Sequence, residues 1–134
     1  MTTNTAITVY NRKYDKDGHL DTWHRTVIDR AWVHVDHKST QGDASLDNAE
    51  AYKIRIPRDV ENADKYLPPE EYAEAENTSE YWTIQNGDHI VVGVCPIEIE
   101  KPADLKRVYK KHCKVLLWAD NSYGMLPHWR IEGE

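Results

Sequence analysis

The stretch WTIQNGDHIVVGV, residues 82–94, contains the most strand-like segment of the chain and is the natural starting point for its fold. Its second half is rich in β-branched residues, which pack well on a pleated sheet. Asn86 and Gly87 both accept positive φ, so the pair predicts a tight type I′ turn in a β-hairpin. Within HIVVGV only His89 is of a type common in catalysis, which favours a scaffold role for this segment.

Similar patterns predict further short strands. In AYKIRIP, residues 51–57, apolar and charged residues alternate as in a strand with one buried face, and Pro57 ends the run because it cannot donate to a ladder. Asp17-Gly18 is the predicted reversal point between the first two strands. The full set of predicted strands is residues 6–10, 20–28, 31–36, 51–56, 81–84, 88–94, 97–100, 115–120 and 128–131.

Two segments are typical of short helices. Pro69 suits a first helical turn, and the glutamates that follow it suit the positive end of the helix dipole. A second helix is predicted from Pro102, because an apolar stripe with helical spacing follows it. The stripe consists of Leu105, Val108, Tyr109 and His112. We therefore expect a mainly β fold, a small closed or partly open β-barrel of about seven to nine short strands with one or two short helices packed on it.

The 134 residues predict one domain, residues 1–134, interrupted by two unusual segments. The polar run HKSTQGDASLDNA, residues 37–49, predicts a long exposed loop. Residues 58–80 are acidic and poor in strand patterns, and they form an acidic insertion. Cys95 and Cys113 lie far apart without a CxxC motif, so we expect reduced, buried thiols in a protein folded in a cytosol.

Charge and hydropathy exclude several classes of function. The net charge is −6, and nucleic-acid binding requires a positive surface that displaces counterions. We therefore expect DNA to be able to pass near this protein without being bound specifically. The opening MTTNTAITVY lacks the basic and apolar regions of a signal peptide, and no window approaches the ~18 apolar residues of a membrane span.

The sequence carries no strong catalytic signature, and we predict no enzymatic activity and no cofactor. No serine lies in a GxSxG context, and no glycine-rich phosphate loop is present. The alternative that stays open is a small metal-dependent hydrolase that uses His24, His34 and His37 with Asp36. Such a site needs three or four convergent ligands, and solvent-facing strand histidines are the more ordinary interpretation.

Binding is the other open class of function. The chain has five Trp and eight Tyr with no Phe, and these residues are common both at interfaces and in sheet cores. We expect most of the Trp in the core, and the alternative is a binding groove lined by Trp23, Trp32 and Trp129. A basic cluster on the second predicted helix would suit an acidic partner face, which this chain also carries. The cluster is Lys106, Arg107, Lys110 and Lys111, and the acidic face is Glu70, Glu71, Glu74 and Glu76.

Three segments resemble the small head–tail joining proteins of long-tailed phages. ITVYNRKYDKDGHLDTWHRTVIDRAWVH, residues 7–34, resembles their opening, in which a T(V/I)YN strand precedes an Asp/Gly turn and strands containing Trp. WTIQNGDHIVVG, residues 82–93, resembles their W…GD.IV.G stretch. NSYGMLPHWRIEGE, residues 121–134, resembles their ending, a GM.HW.V.G pattern.

The resemblance implies a protein of the virion neck, of the head-completion or stopper type. Such proteins form a ring between the portal or its adaptor and the tail, with a loop that helps to retain packaged DNA. By position, residues 37–48 would be that loop. A ring requires heterologous contacts between subunits, and the acidic and basic clusters are a candidate pair for them. The predicted interface residues are His37, Lys38, Gln41, Asp43, Glu70, Glu71, Glu74, Lys106, Arg107, Lys110 and Lys111. Another virion protein, such as a tail terminator or minor capsid protein, is the nearest alternative.

Overall fold

The computed structural model describes residues 2–15, 17–39, 48–107, 111–121, 123 and 125–134. Its strands are β1 (Thr5–Asp15), β2 (Leu20–Ser39), β3 (Asn48–Pro57), β4 (His89–Val92), β5 (His112–Asn121) and β6 (His128–Gly133). They are antiparallel and form a closed barrel in the order β1-β2-β3-β6-β5-β4. The helix α1 (Pro69–Glu74) and the 3₁₀ helices Ala63–Lys65 and Pro102–Arg107 complete the regular elements. A mainly β barrel is therefore confirmed, with six strands within the described residues instead of seven to nine.

The lower strand count arises first at β2, which was predicted as two strands. It is one continuous strand of 20 residues that changes partner along its length. Ala31 still pairs with Thr5 of β1, and the next residue, Trp32, already pairs with Arg55 of β3. Residues 29 and 30, which lie between the two predicted strands, are part of the continuous strand, and Arg30 forms an ion pair with Asp59 at 2.7 Å.

The predicted hairpin across Asn86 and Gly87 is wrong, although a turn is present. Asp88 N–H donates to the carbonyl of Gln85 at 3.3 Å, and only Gly87 has positive φ, which rules out type I′. Residues 82–84 are not a strand partner of β4, which pairs with β1 and β5 instead. The turn is held by β5, because Gly87 N–H donates to the carbonyl of Val115 at 2.8 Å. The strand predicted at 97–100 is also absent.

One helix prediction is confirmed and the other is wrong. Helix α1 begins at Pro69 and carries Glu70 and Glu71 in its first turn, as the sequence predicts. The second predicted helix is a 3₁₀ helix that ends at Arg107, and His112 of the supposed apolar stripe opens β5. Leu105 is buried, whereas 108 and 109 lie outside the described residues.

Strand β1 is buried on both of its faces. Residues 7–11 are five successive buried positions, so the strand lacks the exposed face that an ordinary barrel strand presents to water. Ile7 and Val9 belong to the barrel core, whereas Tyr10 belongs to a second cluster on the outside of the barrel. That outer cluster also contains Val91, Cys95, Ile99 and Leu105.

Residues 93–105, which we call the outer strap, supply Cys95, Ile99 and Leu105 to this outer cluster. Its backbone is bonded to β1, because the hydroxyl of Thr8 donates to the carbonyl of Gly93 at 2.9 Å and accepts from Cys95 N–H at 2.8 Å. The hydroxyl of Tyr10 donates to the carbonyl of Ile97 at 2.6 Å. Cys95 is a free thiol, as is Cys113 of β5, and both are buried as predicted, whereas folding in a cytosol stays a prediction.

Residues 58–88, which we call the cap, pack against the barrel core. The acidic insertion predicted at 58–80 lies within it and supplies apolar side chains to the core, including Val60. Three aromatic rings interlock there: Trp82 lies 5.1 Å from both Tyr66 and Trp129, and Tyr66 lies 4.7 Å from Trp129, between ring centroids. The indole N–H of Trp82 donates to the carbonyl of Asn62 at 2.7 Å, which satisfies its polar atom.

A buried polar cluster joins the cap to β1. Asn11 donates from Nδ2 to Asp88 Oδ2 and to the carbonyl of Thr83, both at 2.7 Å, and it accepts from Thr83 N–H at 3.1 Å. Asp88 Oδ1 accepts from Arg12 N–H and from Gln85 Nε2, each at 3.0 Å. Burial raises the pKa of Asp88 to about 7, although the hydrogen bonds that it accepts act in the opposite direction.

Because Asp88 lies in this cluster, we expect the free energy of unfolding to fall as pH rises. The pKa of Asp88 is higher in the folded chain, about 7, than its ordinary value of 3.8, so between these values the folded state binds more protons than the unfolded state. Replacement of Asp88 by Asn removes this dependence, which is on the order of 4 kcal/mol over that range. Denaturant unfolding of both proteins at a series of pH values measures the difference.

The control for Asp88→Asn is Asp104→Asn, for which the sign is reversed. Hydrogen bonds from Glu100 and Lys101 N–H lower the pKa of Asp104, so its contribution to stability is present above the unfolded pKa and is lost as pH falls. An Asp88→Asn variant that keeps the pH dependence of the parent would contradict the role of this carboxyl group.

Candidate functional site

Strands β2 and β3 continue beyond the barrel as a two-stranded hairpin arm. β3 pairs with β6 only from Tyr52 onward, so residues 48–51 pair with residues 36–39 of β2 alone. The prediction of a loop over 37–49 is therefore wrong at both ends, because its polar residues pair across the arm, as in His37 with Glu50. Residues 40–47, with Gln41 and Asp43, lie outside the described residues, as do the side chains of His37 and Lys38.

Side chains of opposite charge brace the base of the arm. Glu50 accepts from the hydroxyl of Tyr52 at 2.8 Å and lies 3.5 Å from Lys111 Nζ. Burial, followed by the hydrogen bond to Glu50, raises the pKa of Tyr52, so this hydroxyl stays a donor. On the neighbouring strand, Asp36 contacts His34 at 2.8 Å and Lys53 at 3.5 Å. The arm is thus continuous with the rigid barrel at both of its strands.

The predicted basic cluster does not form one face of one helix. Lys106 and Arg107 are exposed at the end of the 3₁₀ helix, and 110 lies outside the described residues. Lys111 lies just before β5 and contacts Glu50 of the arm instead. The prediction is wrong because the helical stripe ends early, where β5 begins at His112.

The predicted acidic face is displayed as expected. Glu70, Glu71 and Glu74 lie on α1, and together with Glu76 and Glu80 they are exposed. One buried side chain of α1, Tyr72, anchors this segment, and the ammonium group of Lys13 lies 5.8 Å from its ring centroid. Within the described part of the chain these five glutamates form no ion pair. We call residues 70–80 the acidic segment.

The outer surface of β2, β3 and β6 carries a cluster that sequence analysis missed. The register places Trp32, Arg55 and Arg130 side by side across these three strands. The guanidinium group of Arg55 lies 5.1 Å from the ring centroid of Trp32, and the ring of His34 stacks parallel to that indole with centroids 5.8 Å apart. Lys53 lies in the next row, beside His34. We call Trp32, His34, Lys53, Arg55 and Arg130 the basic sheet face.

Arg55 and Arg130 are a like-charge pair directly opposite each other. Like charges in this position destabilise a sheet, because their side chains lie on the same face about 5 Å apart. Neither guanidinium group has a carboxylate within 4 Å among the described residues, and the nearby Asp36 contacts His34 and Lys53 instead. The barrel therefore exposes two cations that form no ion pair among the described residues.

A surface cleft of about 930 Å³ lies between the β1–β2 hairpin and residues 73–79. Among its lining residues are Lys13, His24, Arg25 and Glu98. Burial lowers the pKa of His24, and Arg25 donates to the carbonyl of Cys95 at 3.0 Å, which ties the cleft floor to the outer strap. The lining is about equally polar and apolar and contains groups of both charges. Among the described residues it holds no nucleophile that is hydrogen-bonded to a base.

The histidines of the hydrolase alternative do not converge. His24 and His34 are ten residues apart on β2, on the order of 30 Å of strand. His34 contacts Asp36, and the side chain of His37 lies outside the description. Within the described ranges no group of three or more His, Cys, Asp or Glu side chains is placed to hold a metal ion.

The predicted tryptophan groove is also wrong. Trp129 is fully buried in the barrel core, Trp23 lies edge-on to His89 at 5.6 Å, and Trp32 belongs to the basic sheet face. Two of the five tryptophans, Trp82 and Trp129, are fully buried, so the expectation that most would be core residues is only partly met. Trp118 packs partly buried against the core.

An exposed apolar loop joins β5 to β6. Tyr123 and Met125 are 97% and 99% exposed, and Leu126 beside them is 59% exposed. Large apolar side chains at such exposure are typical of contact surfaces when they cluster. This loop is part of the C-terminal motif NSYGMLPHWRIEGE.

The chain belongs to the family described as a family of unknown function, DUF6751, which it matches over residues 1–134. No curated protein and no solved structure matches it. None of the helices in the described residues has the length and apolar character needed to span a membrane.

The like-charge pair predicts that the loss of one charge stabilises the fold. Replacement of Arg130 by Gln removes the repulsion with Arg55 and is expected to raise the free energy of unfolding by about 0.2–1 kcal/mol at low salt. The gain should shrink as salt shortens the Debye length. Chemical denaturation at low and high salt measures it, with Lys106→Gln as the control, since Lys106 lies on the exposed 3₁₀ helix. A variant that is less stable than the parent at low salt would contradict the repulsion.

Proposed function

We propose that this protein is a structural component of the neck of a long-tailed phage, of the head-completion or stopper type. It joins the capsid portal or its adaptor to the tail, acts without enzymatic activity, and resides in the virion after synthesis in the host cytoplasm. The order of its three motifs supports this proposal, since they resemble head–tail joining proteins along the chain. The DUF6751 family itself carries no assigned function.

The observation that carries the proposal is the hairpin arm. The resemblance assigns the DNA-retaining loop to residues 37–48, and at this position β2 and β3 leave the barrel as a ribbon of four residue pairs, 36–39 with 48–51. The ribbon continues two barrel strands and is paired as far as Ser39 and Asn48. This geometry suits a segment that reaches into a channel while the barrel stays in the wall.

The charge distribution is consistent with passage of DNA rather than specific binding. The net charge is −6, and five of the carboxylates that contribute to it lie exposed in the acidic segment. An acidic surface repels phosphates and keeps a passing duplex mobile. The protein acts in this proposal as a homo-oligomeric ring, and the virion assembly would strengthen the association of its subunits by acting as a template.

Affinity purification tests the proposal directly. The tagged chain is co-expressed with the portal, adaptor and tail proteins encoded beside its gene, and we expect the portal or adaptor to co-purify. Co-purification with tail proteins alone would favour a tail terminator, and the absence of any stable association would contradict a neck role. We also expect the gene for this protein to lie between portal and capsid genes on one side and tail genes on the other.

A second variant tests the arm. Replacement of residues 40–47 by Asn-Gly closes the ribbon with a two-residue turn and keeps the pairing of Ser39 with Asn48. We expect unchanged portal binding and thermal stability, and particles that lose packaged DNA. The control replaces residues 40–47 by eight Gly and Ser residues, which keeps the length. Particles of the short-turn variant that retain DNA as well as the parent would contradict the role of the arm.

A further inference from the structure

We propose that the basic sheet face of one subunit docks the acidic segment of a second copy of this chain. In this contact Glu70 and Glu74 of one copy lie against Arg55 and Arg130 of the other. The inference rests on the proposed function, in which the chain forms a homo-oligomeric ring, and it names the two surfaces that meet.

The basic side of the contact is a pair of cations that is unfavourable in the isolated subunit. Arg55 and Arg130 face each other across β3 and β6, and both are exposed. An anion placed between them would replace a repulsion by two charge-assisted hydrogen-bonding pairs, and the planar guanidinium group suits carboxylates in this way. The half-buried Trp32 beside Arg55 adds apolar area of the kind found at the centre of interfaces.

The acidic side offers carboxylates at a matching spacing. Glu70 and Glu74 are four residues apart on α1, which places their Cβ atoms about 5–6 Å apart on one face of the helix. Residues directly opposite each other in an antiparallel sheet have Cβ atoms about 4.5–5.5 Å apart, so the two arginines present the same separation. From Tyr66 to Tyr81 the chain has five glutamates and no lysine or arginine.

The two surfaces do not meet within one subunit. The acidic segment is anchored by Tyr72 next to Lys13 of β1, whereas the basic sheet face lies on β2, β3 and β6. Neither surface has an ion pair with the other in the described residues. A contact between different patches of identical chains is heterologous, and repetition of such a contact generates a ring or a filament.

A second copy fits the basic sheet face better than a nucleic acid does. The face is small, with Asp36 and Glu132 beside Lys53, and the whole chain carries −6. A phosphate polymer needs several cations in a continuous positive track. Two arginines beside a tryptophan are enough for a pair of glutamates, and the chain supplies that pair itself.

Charge reversal with complementation tests the proposal. Arg55→Glu/Arg130→Glu reverses the basic sheet face, and Glu70→Lys/Glu74→Lys reverses the acidic segment. At low salt the parent should self-associate in sedimentation velocity as its concentration rises, and each reversed protein should associate at least about tenfold more weakly. A mixture of the two reversed proteins should associate again, because the unchanged acidic segment of the first can dock on the unchanged basic sheet face of the second. The reversed face of the first can also dock the reversed segment of the second, so the two proteins should alternate in equal amounts.

The controls separate this contact from its alternatives. Lys106→Glu/Arg107→Glu reverses the other basic site, and we expect it to associate like the parent. Arg55→Gln/Arg130→Gln, with circular dichroism of every variant, keeps the test valid if the reversed protein fails to fold. A parent that stays monomeric at all concentrations, or reversed proteins that associate like the parent, would overturn the proposal.

Two further readouts assign a failure to its cause. A labelled oligonucleotide that binds the parent and not Arg55→Glu/Arg130→Glu would overturn the proposal, because the basic sheet face would then be a nucleic-acid binding site. Loss of self-association together with intact co-purification of the portal would leave the neck role standing, whereas portal binding that is absent in the parent contradicts the neck role itself.

Discussion

The burial of β1 on both faces is the constraint on which the rest of the structure depends. On the inner face, Ile7 and Val9 fill the barrel, and on the outer face Thr8 and Tyr10 are bonded to the outer strap. β2 pairs along one edge of this strand and β4 along the other. With every side occupied, β1 closes the barrel, and Asn11, the last of its five successive buried residues, bonds to Asp88 of the cap.

Much of the sheet was predictable, since burial follows a period of two. In AYKIRIP the residues Tyr52, Ile54 and Ile56 are buried and the two between them are exposed, as the pattern required. Prediction failed where backbone groups are satisfied without a strand partner. Residues 82–84 have strand composition, yet Trp82 is held by aromatic rings and Thr83 bonds to the side chain of Asn11. Such long-range partners leave no local signal.

Of the candidate surfaces, too, one was predictable from the sequence and another was not. The glutamates of α1 were predictable because exposure follows from local composition and the helix dipole. The pairing of Arg55 with Arg130 joins residues that are far apart in sequence, and it depends on the register of β3 against β6. Alternation indicates that each arginine faces outward, but it does not reveal which residue lies opposite. The predicted basic helix is wrong for the converse reason. Its apolar stripe is a pattern of neighbouring residues, and β5 already begins at the last residue of that stripe.

Strand β2 has a mechanical consequence for the arm. Its 20 residues run without a break from the hairpin with β1, past the change of pairing partner after Ala31, to the ribbon that leaves the barrel. A force applied to the ribbon along this strand acts on one continuous strand, which is hydrogen-bonded first to β3 and then to β1. The pull therefore loads those ladders in shear, many bonds at once, and the barrel resists it as one body.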